Sequence, residues 1–180
     1  MRRACSALLL LLTATAVPAE KAPLNERHRN WLTEVDPLIL GSEKRVFLDL
    51  ATDYQRDAFI DRFWRERDPH PQTARNELKE RYRARVAQAR ALYRDLGDDR
   101  ARIYLVHGEP AGSESVRCSG TYSSAEVWVY QGTEQVAYDV VLIFLVPSDG
   151  AAFVWLPPTQ NADIHIAQAG RCVGGDQLKL

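Results

Sequence analysis

Arg94-Asp95-Leu96-Gly97-Asp98-Asp99-Arg100-Ala101-Arg102-Ile103-Tyr104-Leu105-Val106-His107-Gly108-Glu109-Pro110, residues 94–110, is the stretch on which the fold turns. Before it, apolar residues recur every three or four positions. Leu78, Tyr82, Val86, Ala89 and Tyr93 make one face of a helix expected from Thr73 to about Asp95. Gly97 suits the left-handed cap that ends such a helix. After Asp99 the spacing reads as two. Arg102 to His107 is therefore expected to be a strand, closed by the turn Gly108-Glu109-Pro110.

Working outward towards lower numbers, three more helices are expected. Asn25 to Asp36 carries Trp31, Leu32 and Val35, and Pro37 and Gly41 break it. Glu43 to Leu50 follows, capped by Ser42, with Val46, Phe47 and Leu50 inward. Thr52 and Gln55 have the form of a capping box opening a helix to about Arg67, with Phe59, Ile60, Phe63 and Trp64 as its apolar stripe. Asp68-Pro69-His70-Pro71 stops it, because proline lacks an N–H and disfavours helix before itself.

Towards higher numbers the pattern is β. Glu126 to Tyr130 alternates, with Trp128 and Tyr130 sharing a face, and Val136 to Val146 is apolar enough for a central strand. Ala152 to Leu156 is a further strand, and Gly132 and Pro147-Ser148-Asp149-Gly150 are the turns. Helices first and strands second is the α+β pattern, with N-terminal helices packed on a C-terminal antiparallel sheet of three to five strands. Residues 20–98 form the helical half and 99–180 the β-meander half of one domain.

Residues 1–19 read as a signal peptide. Arg2 and Arg3 precede the apolar run Leu8 to Leu12, and Val17-Pro18-Ala19 places small residues where cleavage requires them. The run is too short to span a bilayer, and no transmembrane segment is expected in the mature chain. An exported location follows, periplasmic or secreted. Cleavage removes Cys5 and leaves Cys118 and Cys172, an even pair that an oxidising compartment favours as a disulfide. A nucleophilic Cys118 served by His107 is the functional alternative. The formal net charge of the whole chain is −1. That balance argues against nucleic acid as a partner.

Three arginines interrupt apolar faces and mark where chemistry could sit. Arg85 falls within the long helix's stripe, and Arg56 and Arg67 flank the Phe59/Phe63 face. A buried guanidinium needs a carboxylate. Asp68 and Asp99, both at helix ends, are the expected partners in an ion clamp at the helix junction. An anion-binding or catalytic pocket is the alternative use of the same residues. Arg75, Lys79, Arg83, Arg90 and Arg94 form a basic face, read as solvated, with a docking site for an acidic partner as the sharper option.

His28, His70, His107 and His165 lack metal-ligand spacing, and Asp163 with His165 is too few ligands for a site. Neither a phosphate-binding glycine loop nor a hydrolase signature is present, so neither metal nor cofactor is expected.

The segments Phe47 to Asp53, Phe59 to Pro69, Thr73 to Glu77, Arg85-Val86, and Asp99-Arg100 through Gly108-Glu109-Pro110 together resemble the GWxTD domain, a family of bacterial proteins that commonly carry export signals. The resemblance covers roughly Trp31 to Tyr130. At the eponymous motif this chain reads Asp95-Leu96-Gly97-Asp98-Asp99, which keeps only the closing aspartate. The residues that match the family signature are Trp64, Arg67, Asp68, Arg85, Asp99 and Arg100, and their overlap with the ion clamp implies a structural role. The expected function is a non-catalytic binding or structural module of the cell envelope. Its partner would be a protein or another envelope component, met near Trp128 and Tyr130. The alternative is a hydrolase or transferase with an Arg/Asp-lined cleft at the helix–sheet junction and Asp99 or Glu109 as base.

Overall fold

The computed structural model describes residues 22–118, 122–132 and 137–154. The leader, Cys172 and the chain beyond Val154 lie outside the described residues. Five helices precede a four-stranded antiparallel sheet, an α+β fold: α1 Glu26–Val35, α2 Gly41–Asp49, α3 Asp53–Glu66, α4 Glu77–Leu92, α5 Asp99–His107, β1 Gly112–Arg117, β2 Tyr122–Tyr130, β3 Val140–Pro147 and β4 Phe153–Val154. The strands lie side by side in chain order. Among the described residues no helix is long and apolar enough to cross a membrane.

Local chemistry sets the helix starts. Asn25 accepts from the His28 N–H, and Asn76 from that of Lys79. The Thr52/Gln55 capping box forms as the sequence implies. At α2 the cap is not Ser42. The helix begins two residues earlier, at Gly41, and Glu43 reaches back to the Leu40 N–H at 2.8 Å. Only Phe47 of the three residues expected inward is fully buried, whereas Val46 is 49% exposed. The aromatic rings of Trp31, Phe47, Phe59, Phe63, Trp64 and Tyr82 pack edge-on or tilted across α1 to α4, with centroids 4.8 to 6.2 Å apart. Such pairs add about 0.5–1.5 kcal/mol each beyond their buried area.

The strand expected at Arg102–His107 is a helix. Asp98 caps it by accepting from the Arg100 N–H at 2.9 Å, and Gly108 ends it with its N–H on the Tyr104 carbonyl. Ala101, Tyr104 and Leu105 are buried, a spacing of three and four that places them on one helical face. The apolar run Ile103 to Val106 had masked that period, since a short run reads equally as helix or strand. The first strand is instead Gly112–Arg117, whose polar, exposed residues carry no alternation to read.

A bulge between Tyr122 and Ser124 turns Tyr122 to the opposite face from Trp128 and Phe144. The face bearing Trp128 and Phe144 joins the helical core through Ala101, Tyr104 and Leu105. The other face carries a smaller cluster of Tyr122, Ala125 and Leu145.

Candidate functional site

A cleft of about 470 Å³ opens where the end of α4 meets α5 and the sheet. Gln88, Leu92 and Tyr93 form its helical wall, Tyr104 and Trp128 its floor, and Glu109, Ser113 and Glu126 its polar rim. Tyr104 donates to Gln88 at 2.7 Å, fixing the ring at the floor. Leu92 stays 63% exposed at the mouth, and Trp128 is only 3% exposed. Trp128 and Tyr130, near which a partner was expected, thus do not form an exposed surface. Trp128 is packed on Phe144, and Tyr130 is half-buried with its hydroxyl on the Gly108 carbonyl at 2.8 Å. Burial raises the Tyr130 phenol to about 12, so it remains a hydrogen-bond donor at neutral pH.

Arg85 fixes the turn that shapes the rim. It does not meet Asp68 or Asp99 as expected. Its guanidinium donates to the carbonyls of Leu105, Val106 and His107 at 3.2, 2.5 and 3.2 Å. These belong to the last turn of α5, whose carbonyls lack helical partners and favour a cation. Gly108 lies directly beneath, at φ 84° and ψ −158°, a region essentially restricted to glycine. A Cβ there would meet Arg85 Nη2 at 2.7 Å. Gly108→Ala is therefore expected to destabilise the fold by about 1–3 kcal/mol or more, read by urea unfolding. Arg85→Ala leaves only backbone carbonyls, and no buried carboxylate, without a partner. Its expected cost is about 1–2 kcal/mol.

The expected single clamp is three separate anchors. Arg67 grips Glu43 at 2.6 and 2.8 Å with its guanidinium 3.8 Å from the Phe63 ring centroid. Trp64 stacks in the aromatic core, and its carbonyl takes the Asn76 side chain at 2.6 Å. Asp68 stays in its own loop, accepting from the His70 N–H. Arg56 is fully buried, donating to Asp53 at 2.8 Å and to the carbonyls of Ala22, Pro23 and Leu50.

The third anchor joins helix to sheet. Arg100 donates to both oxygens of Asp98, at 3.0 and 2.8 Å, and to Glu126 on β2 at 2.6 Å. Asp98 also accepts from the Ala152 N–H at 2.9 Å, and Asp99 from the Val154 N–H at 2.8 Å. Burial pushes the Asp98 carboxyl up, but Arg100 and the Ala152 N–H outweigh it and hold it below the usual carboxylate range. Asp98 and Glu126 were not singled out in the sequence. The signal for Asp98 was its place just before a helical run, and Glu126 had none.

No family model, curated protein or solved structure matches this chain. On the basic face, Arg90 pairs with Glu34 at 2.9 Å, so this face is partly used between α4 and α1. Among the described residues no cluster of three or more His, Cys, Asp or Glu could hold a metal ion. Cys118 is half-buried beside Val116, and its expected partner Cys172 lies outside the described residues.

Proposed function

We propose that this chain is an exported, non-catalytic binding module of the bacterial envelope, related to the GWxTD domain, and that it receives a protein partner at the α4–α5–sheet cleft. One observation carries the reading. The cleft combines an exposed leucine, an aromatic floor and a polar rim beside β1, a six-residue strand at the edge of the sheet. An edge strand can pair with an extended segment, while the adjoining pocket takes one of its side chains. Of the groups named for a hydrolase or transferase, Glu109 reaches the rim, while Arg85 is held by main-chain carbonyls, Asp99 by the Val154 N–H and Arg100 by Asp98 and Glu126. The expected leader and cysteine pair support the exported setting.

Site-specific photo-crosslinking tests the proposal in cells of a bacterial host. A photoreactive residue at Ser113 is expected to trap one predominant envelope protein, and Leu92→Asp is expected to reduce that product at least about tenfold, corresponding to about 1.4 kcal/mol. Equal trapping from Ser113 and from exposed Tyr54, on the far α3 surface, would overturn it.

A further inference from the structure

Among the described residues β1 borders the sheet, and hydrogen-bond parity fixes which of its residues look outward. Residues that exchange main-chain bonds across an antiparallel pair alternate with residues that do not. On β2 the carbonyls of Val129 and Ser123 both point to β1, accepting from the Ala111 and Cys118 N–H groups at 2.8 and 3.0 Å. In the register Gly112↔Val129 to Arg117↔Ser124, Gly112, Glu114 and Val116 therefore face β2 with their main chain. Ser113, Ser115 and Arg117 turn their N–H and C=O groups away from it. Ser113 stands opposite Trp128 and Ser115 opposite Glu126, so these side chains lie on the helix side of the sheet, and Val116 belongs to the outer cluster. A strand added beyond β1 would set the residue opposite Ser113 on the helix side as well, over the cleft that Ser113 lines.

We infer that the cleft selects a lysine or arginine, carried by an extended segment of a partner protein at the position opposite Ser113. This rests on the reading of the cleft as a partner site and names the side chain it takes. Charge complementarity carries it. Glu109, on the rim, is exposed and meets no hydrogen-bond or ion-pair partner among the described residues. Glu126 and Asp98 share the guanidinium of Arg100, so that trio keeps one net negative charge beside the cleft. Arg85, the other guanidinium near the rim, is turned to the α5 carbonyls. Side-chain size points the same way. Ser113 and Ser115 are small and exposed, which leaves a low path across β1. An added strand would lie about 10 Å from β2, so a long side chain is needed to approach Glu126. Lysine and arginine can lay their methylenes along Leu92 and Tyr104 and keep the charged head at the carboxylates.

NMR titration of the isotope-labelled mature protein tests it. The probes are blocked peptides of alternating valine and threonine, identical except for a central arginine, lysine, leucine or glutamate. The amide signals of Ser113 and Ser115 are expected to move with the arginine and lysine peptides, which should bind at least about tenfold more tightly than the glutamate peptide. Raising the salt concentration should weaken both. Glu109→Gln, at an exposed position, should weaken the arginine peptide at least about threefold and leave the leucine peptide unchanged. If the leucine peptide binds as tightly as the arginine peptide and moves the same amides, charge selection is overturned and edge pairing stands. An arginine preference untouched by Glu109→Gln would overturn the placement of the cation. Ser113 and Ser115 amides unmoved by every peptide would overturn both the selection and the cleft reading beneath it.

Discussion

Arg56→Ala is expected to lower the unfolding free energy by about 3–5 kcal/mol, because it strips three main-chain carbonyls of their donor, at about 1–3 kcal/mol for each bond left unmade. The side chain is 0% exposed, and its guanidinium holds together three pieces of chain. It reaches the segment before α1 through Ala22 and Pro23, the end of α2 through Leu50, and the start of α3 through Asp53. Alanine would leave these carbonyls facing a void. Arg56→Lys should recover only part of the loss, because an ammonium cannot reproduce a planar fork donating in several directions. Arg62→Ala, on the exposed side of the same helix, should change stability by less than about 0.5 kcal/mol. Urea unfolding of the three variants gives the comparison. Equal, small losses for Arg56→Ala and Arg62→Ala would show that the buried guanidinium is dispensable.

Asp98→Ala should rank beside it, at about 3–5 kcal/mol, since it strips Arg100 of its main carboxylate, α5 of its cap and Ala152 of its acceptor. The carboxylate also makes stability depend on pH. Its folded-state pKa is depressed, so its contribution is complete above the unfolded value of about 3.9 and is lost as pH falls through the lower, folded value. Asp98→Asn should therefore start less stable at pH 7 and lose less than the parent on acidification below about pH 4. Parallel stability curves for the two proteins between pH 7 and pH 2 would show that Asp98 is not the titrating anchor.

The helical half was legible because its signals are local. The Thr52/Gln55 box and the Phe59/Phe63/Trp64 part of the stripe depend on residues within one or two turns and form as read, whereas Ile60 is only half-buried and Asn25, read as the first helical residue, is the cap. The α5 segment was misread because Ile103 to Val106 is apolar at every position, leaving the caps Asp98 and Gly108 as the deciding marks. Arg85 illustrates a different limit. Its interruption of an apolar face was read as a need for a carboxylate, but the acceptors are main-chain carbonyls, which every residue supplies and no sequence pattern advertises. A cleft at the helix–sheet junction was expected only as the Arg/Asp-lined alternative; the one that forms is lined by no arginine or aspartate, and its rim residue Glu126 is brought to Arg100 by strand register alone.

The short last strand bears on how this molecule avoids its own kind. Among the described residues β4 lies at an edge of the sheet, where unpaired N–H groups ordinarily invite a strand from another molecule and seed cross-β association. Here the N–H groups of Ala152 and Val154 are committed to Asp98 and Asp99, and the Ala152 carbonyl accepts the Asp99 N–H at 3.0 Å. The start of α5 thus stands where an intruding strand would bind. It acts as a built-in guard against aggregation along that border, and at acid pH, as Asp98 takes up its proton, the guard weakens together with the fold.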